Sequence, residues 1–322
     1  MGWQWMRYTY KVWVADGNEH FEYGNEQKKK KDLPFGTSLM ELLYLDVWAY
    51  GELFDGMGKA IMELYSSKEQ RYVDEVLTAL DTIASHHIYF ELLRLEWRDR
   101  LEQAKRHNYE NVLDLLPRKE LTHIPSNIHT MQEQIKTLFA HVLDLDTSPK
   151  EPVQKKMVRY YNYRGSDQLN TFQFQPQPMS FEVIDRKTFT EVLYPKNIYD
   201  MIDYFVREFV KREQFVRICK NCGKYFALSG RSDAEYCNRP VDDKGRTCRD
   251  VGSIKAWTKK RMNDDVFKVY RREYKKRFGW IKAGKIEQDA FYAWSEKARE
   301  EKAKCDAGEI SFQVFQDWLK NS

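Results

Sequence analysis

No stretch of the sequence approaches the roughly 18 consecutive apolar residues of a membrane span. Residues 1–10 hold no basic segment followed by an apolar core, which argues against secretion. Cysteine is scarce: there are five in 322 residues, and four of them crowd between positions 219 and 248. So few, so clustered, do not make a disulfide framework; they fit a reducing, cytoplasmic setting in which thiols serve metals. Signatures of catalysis are missing as well. There is no glycine-rich phosphate loop, no G-x-S-x-G elbow, no H-E-x-x-H and no histidine near the cysteines. The expectation is a binding protein without enzymatic activity and without a membrane partner.

Charged residues make up 32% of the chain and aromatics 15%. That is too aromatic for a disordered chain and too polar for a membrane protein, so a soluble globular protein follows. Its length allows two domains, or one with an appended module. The formal net charge of +4 is unevenly spread. Residues 211–277 carry 20 Lys and Arg against 9 Asp and Glu, and the rest of the chain 33 against 40. A basic segment of this kind points to a partner, most often nucleic acid.

Near the start, Tyr8, Tyr10, Val12 and Val14 alternate with polar residues, Gly17-Asn18 reads as a turn, and Phe21 and Tyr23 return. This is a β-hairpin pattern. Lys28–Lys31, followed by Asp32 and Pro34, reads as a solvated charged loop. Capping boxes at Ser38/Glu41 and Ser67/Gln70 open helices, the second running to about Lys105 over Leu77, Leu80, Ile83, Tyr89, Leu92 and Leu93. His86 and His87 fall on that helix as packing residues. Another helix spans Ser126 to Leu143, and Pro149 and Pro152 mark a boundary. Strands return around Phe172, Phe174, Phe181 and Val183. A helix from about Asn197 to Lys211, striped with Ile198, Ile202, Phe205 and Phe209, leads through Phe215–Ile218 into the first cysteine. The expected architecture is α+β and mostly helical: an N-terminal domain with β-hairpins over 1–196, a connecting helix and strand over 197–218, a four-cysteine zinc finger over 219–250, and a basic helical C-terminal domain over 251–322.

The cysteines read Cys219-x2-Cys222-x14-Cys237-x10-Cys248, two pairs across a loop. Four thiolates match the tetrahedral preference of zinc and leave no coordination position open for water, so the metal is structural. Gly223 follows the second cysteine, where the knuckle must curl its backbone toward the metal. Lys224-Tyr225-Phe226 leaves the knuckle as a strand, and Glu235-Tyr236 brings Cys237 back.

At Cys219, Cys222, Phe226, Tyr236, Cys237 and Cys248 the sequence resembles the bacterial CGNR zinc-finger proteins, over about 60 residues. The resemblance implies a treble-clef-like finger leading into a basic helix, joined by a helix to an N-terminal α/β domain, in a transcription regulator. Thr247-Cys248-Arg249-Asp250 replaces the signature tetrapeptide, and the second cysteine pair is wider than usual. The layout is closer to an uncharacterised Gram-positive bacterial family carrying the same finger.

After Cys248 a helix is expected to about Met262, with Val251, Ile254 and Trp257 inward and Lys255, Lys259 and Lys260 outward. The next begins at Asn263 with Asp264 and Asp265 and ends at Lys275, Lys276 and Arg277 before Gly279, with Phe267, Tyr270, Tyr274 and Phe278 as its stripe. Ten Lys and Arg lie between 255 and 277, and Lys255, Lys259, Lys260, Arg271 and Arg272 are the candidate phosphate contacts. A solvated face or an acidic protein partner would read the same way. The tail repeats: Ala283-Gly284-Lys285-Ile286 precedes Phe291 and Trp294, and Ala307-Gly308-Glu309-Ile310 precedes Phe315 and Trp318. Each copy reads as a glycine reversal between helices, making a three-helix bundle with aromatic core; Cys305 is an inert thiol. The leading functional expectation is a DNA-binding regulator or mobile-element accessory protein whose N-terminal domain senses a protein or small ligand. The alternatives are an interaction scaffold and an RNA-binding factor.

Overall fold

The computed structural model describes residues 8–110, 112–164, 167, 169–230, 232–252, 254 and 264–322. The chain is α+β and mostly helical, in two compact units: Met1–Ile218 with Gly223–Ala234, and Cys219–Cys222 with Glu235–Ser322. No helix among the described residues is long and apolar enough to cross a membrane.

In the first unit, β1 (Thr9–Ala15) and β2 (Asn18–Gly24) form the expected hairpin. Asp16 and Gly17 both take positive φ at its turn, as a two-residue turn matched to strand twist requires. The lysine run, expected as a loop, is instead strand β3 (Lys28–Pro34), paired along its length with β2. Its side chains are almost all exposed, and lysines on an edge strand discourage pairing with other chains. Phe172 and Phe174 lie outside any strand. The second hairpin is β4 (Met179–Ile184) and β5 (Thr188–Leu193), and β5 pairs with β1 to complete a sheet ordered β3-β2-β1-β5-β4.

Helices cover one face of this sheet, where Val12, Phe21 and Leu193 are buried. The long helix expected from Ser67 is two, α3 (Gln70–Ala84) and α4 (Ile88–Arg106), following α1 (Thr37–Leu42) and α2 (Gly51–Ser67). His87 makes the break: its Nδ1 accepts from the Tyr89 amide, capping α4, and its Nε2 donates to the Ser38 carbonyl. The helices α5 (Val112–Leu115), α6 (Arg118–Thr122) and α7 (Ile124–Leu138) follow, then a π-turn at Phe139–Leu143 and α8 (Val153–Arg164). Helix α9 (Ile198–Lys211) belongs to the first unit's core, with Ile202, Phe205 and Phe209 fully buried. A short hairpin, β6 (Val216–Ile218) with β7 (Tyr225–Ala227), completes the unit.

Ser38 does not cap α1. The buried Glu19, on β2, accepts from the Gly36 and Ser38 amides, while the Ser38 hydroxyl meets Tyr89. Burial pushes Glu19 up to about 7, against the amides that favour its charged form. Burial also pushes His87 down to about 4, against its bond to Ser38. The two contributions to stability run in opposite directions. That of Glu19 is complete below its ordinary 4.5 and is lost as pH rises through about 7; that of His87 is complete above 6.5 and is lost as pH falls through about 4. The destabilisation caused by Glu19→Gln should therefore shrink by about 3 kcal/mol as pH rises from 4.5 to 7. Denaturant melts of parent and variant across that range check it, and a pH-independent difference would refute it.

The second unit ends in α10 (Asp265–Lys282), α11 (Gln288–Asp306) and α12 (Phe312–Asn321) around Phe291, Trp294, Ala298, Phe315 and Leu319. Helix α10 runs past Gly279, beyond the end expected at Arg277, because its turn is supplied by Gly284 at φ 66. Gly308 at φ 79 makes the same reversal between α11 and α12. The Lys285 amide bonds to the Trp280 carbonyl and the Glu309 amide to that of Lys304, so the sequence repeat is a repeated helix-ending motif.

Candidate metal centre

The four expected cysteines converge, all within the second unit. One Sγ from each of Cys219, Cys222, Cys237 and Cys248 lies within 4.8 Å of the others. A tetrahedron with metal–sulfur bonds of ~2.3 Å has sulfur–sulfur edges of ~3.8 Å, and Cys222 and Cys237 stand 3.8 Å apart. That spacing is far from a disulfide bond, and all five cysteines are free. The group is suited to hold a metal ion.

Local sequence explains how each thiol arrives. Gly223, at φ 70, supplies the left-handed residue that ends the knuckle. The Lys220 amide bonds to the Glu235 carbonyl and the two side chains pair, aligning the knuckle with the segment that brings in Cys237. Cys248 comes beside Cys237 because residues 239–247 fold back on themselves: the Cys248 amide reaches the Arg239 carbonyl, and the Arg249 amide that of Cys237. Asp242 fixes the turn by accepting from the Lys244 and Arg246 amides and pairing with the Arg246 guanidinium. The width of the second cysteine pair is thus a small β-reversal. Residues 248–252 are helical, opened by a capping box in which Thr247 and Asp250 bond each other's amides.

Donors surround the sulfurs. Asn221 Nδ2 lies 3.2 Å from Cys248 Sγ, the Cys237 amide 3.4 Å from Cys219 Sγ, and Arg239 Nη1 3.7 Å from Cys237 Sγ. Burial raises the Cys219 thiol, but the amides of Cys237, Cys222 and Asn221 outweigh it and leave Cys219 below its ordinary value. Burial holds Cys237 and Cys248 above theirs. Ionising Cys237 and Cys248 beside the others therefore calls for a cation among them.

Sequence reasoning missed three supports. Arg239 carried no motif. Arg217, in the first unit, forks onto Asp146 and also donates to the Ser232 and Ala234 carbonyls, fixing the last residues of that unit before the chain leaves it. Gly252 lies against the Tyr236 ring. Cys305 stands apart from the cluster at the end of α11, half-buried.

Of the candidate phosphate contacts, Lys255, Lys259 and Lys260 lie outside the described residues, as does most of the helix expected to carry them. Arg271 and Arg272 are exposed on α10, with Arg271 over the Phe267 ring. Asp264 caps that helix by accepting from the Phe267 amide.

Neither a curated protein nor a solved structure matches the chain. Residues 172–319, which include all four cluster cysteines and all but the last two residues of the three terminal helices, are similar to a family of unknown function, DUF6076.

Proposed function

We propose that the four thiolates hold one structural zinc ion and that the segment it orders engages the phosphate backbone of DNA, so that the chain acts as a regulator or mobile-element accessory protein. The donor set supports zinc over harder cations, because soft sulfur ligands in a closed tetrahedron suit it and leave no position for substrate. The reading is of a binding protein within a reducing compartment, in keeping with the resemblance to CGNR fingers. One observation carries the nucleic-acid part. Lys268, Arg271, Arg272, Lys275, Lys276 and Lys282 all lie exposed within one helical stripe of α10. Asp265 pairs with Lys268 and Glu273 with Lys276, but Arg272, Lys275 and Lys282 meet no carboxylate among the described residues. Uncompensated cations in a row suit phosphates.

The test is fluorescence anisotropy at several salt concentrations, with duplex DNA and single-stranded RNA. Replacing Lys255, Lys259, Lys260, Arg271 and Arg272 together by Gln should weaken duplex binding at every sequence and flatten the salt slope by about 0.9 for each phosphate no longer neutralised. The fold should survive, since exposed charges contribute little to stability. Absence of parent binding at low salt, or a folded variant that binds unchanged, would reject the surface. Preference for RNA would move the reading to the RNA-binding alternative. The scaffold alternative draws on the β4–β5 hairpin, where Phe181 and Phe189 stack while 65% and 70% exposed.

A further inference from the structure

A cavity of about 270 Å³ opens between the π-turn Phe139–Leu143 and α8, within the first unit. Three cations line it, Lys156, Arg159 and Arg164, with three rings, His141, Tyr160 and Tyr163; among the described residues no carboxylate stands in its wall. Positions 156, 160, 163 and 164 share one face of α8, the stripe that packing would ordinarily make apolar. Here Val153 and Tyr160 keep to that pattern, and a lysine takes the place between them.

Lys156 is only 5% exposed, and a buried ammonium ordinarily has a carboxylate beside it. Its Nζ donates instead to two neutral acceptors, the Val142 carbonyl at 3.0 Å and the Ser148 hydroxyl at 2.9 Å. The same Nζ lies 5.4 Å from the centre of the Phe215 ring, so its three N–H groups meet a carbonyl, a hydroxyl and an aromatic face, and none meets a paired anion. Among the described residues no acid pairs with Lys156 or with Arg164, whereas Glu151 pairs with Arg159. The recess thus holds the Arg164 guanidinium with no acid paired to it and the Lys156 ammonium, which Glu213 and Glu151 offset only from beyond ion-pair distance, a positive setting that suits a phosphate monoester. Tyr163, at the rim, is 83% exposed and stacks on no other ring among the described residues. Burial and the charge of Arg164 lower the basicity of His141, so that ring adds a flat polar wall at neutral pH without a third charge.

We propose that this recess binds a phosphorylated planar ring, a free nucleoside monophosphate, with the phosphate on Arg164, beside the Lys156 ammonium, and the base against Tyr163. A bidentate guanidinium–phosphate pair and an aromatic face are the usual means of holding such a ligand. The volume lies just under the ~300–1,000 Å³ of ordinary small-molecule sites, which suits one nucleotide and is too small for a dinucleotide. The site belongs to the first unit and does not depend on the reading of α10 as a nucleic-acid surface.

The experiment is titration calorimetry on the full chain at low salt with three probes: AMP, inorganic phosphate and adenosine. AMP should bind with a Kd of about 1 mM or tighter, and each fragment at least ~10-fold more weakly. Arg164→Gln should weaken AMP at least ~10-fold, and Tyr163→Ala should weaken AMP while leaving phosphate binding unchanged. Both side chains reach solvent, so these variants should fold. The five-site Gln variant described above should bind AMP as the parent does. The proposal fails if AMP gives no saturable heat at about 5 mM. It also fails if adenosine or phosphate binds as tightly as AMP, or if folded Arg164→Gln keeps the parent affinity.

Discussion

Cys219→Ser and Cys248→Ser should each strip the chain of stoichiometric metal and unfold the segment around it, whereas Cys305→Ser should change neither metal content nor melting. Structural zinc in small fingers is worth an apparent ~10–16 kcal/mol of folding free energy, because no preformed site exists in the unfolded chain. A serine hydroxyl is a poor replacement for a thiolate, and Cys219 and Cys248 are almost wholly buried. Loss of even about 3 kcal/mol should lower the relevant melting midpoint by ~10 °C or more. The three terminal helices pack around their own core of Phe291, Trp294, Ala298, Phe315 and Leu319, so their helical signal should persist in both variants. Metal content and circular-dichroism melts of the three single variants check this. Equal losses in all three would mean that Cys305 had been wrongly set apart.

A single methyl group at residue 252 should damage the same cluster on a smaller scale. A Cβ on Gly252 would fall 2.2 Å from Tyr236 Cδ1 and 2.3 Å from Cε1, well inside van der Waals contact. The ring cannot easily retreat, because the next residue along its chain is Cys237 of the cysteine cluster, while Gly252 stands one turn beyond Cys248 of the same cluster in a capped helix. Overpacking typically costs ~1–3 kcal/mol, and with both sides of the contact tied to the cysteine cluster Gly252→Ala should reach the upper end, with metal affinity falling ~10-fold or more. Adding Tyr236→Ala removes the obstacle and should restore most of the affinity. A double variant as weak as the single one would show that steric contact is not the cause; competition with a chromophoric chelator reads both.

The cysteine cluster was legible because metal spacing is a local constraint: a short knuckle and a reversal bring four thiols together within about thirty residues of sequence. The β1–β2 hairpin and the tail repeat were legible for the same reason, since Gly17, Gly284 and Gly308 announce left-handed turns directly in sequence, although the hairpin turns at Asp16-Gly17, one residue before the Gly17-Asn18 expected, because Asn18 already pairs with Ala15. What sequence hid depends on distant partners. Lys28–Lys31 became a strand because β2 offered it a free edge, which no local propensity reveals. Glu19 was indistinguishable from any surface glutamate, yet it caps α1 from another element, displacing the capping box expected at Ser38. The break between α3 and α4 came from His87 bonding the Ser38 carbonyl, 49 residues away in sequence. Around the cluster, the donors missed from sequence lie outside the metal-ligand pattern: Asn221 and Arg239 are recognisable only once their atoms stand beside sulfur.

The central claim is that these four thiolates hold one zinc ion as part of the fold. Its most direct test is elemental analysis by inductively coupled plasma mass spectrometry of the full chain, purified without chelator and compared with quantitative amino-acid analysis. The account predicts one zinc per chain, released together with structure around the cluster when a strong chelator is added. Less than half an equivalent of zinc, or a stoichiometric metal other than zinc, would contradict it.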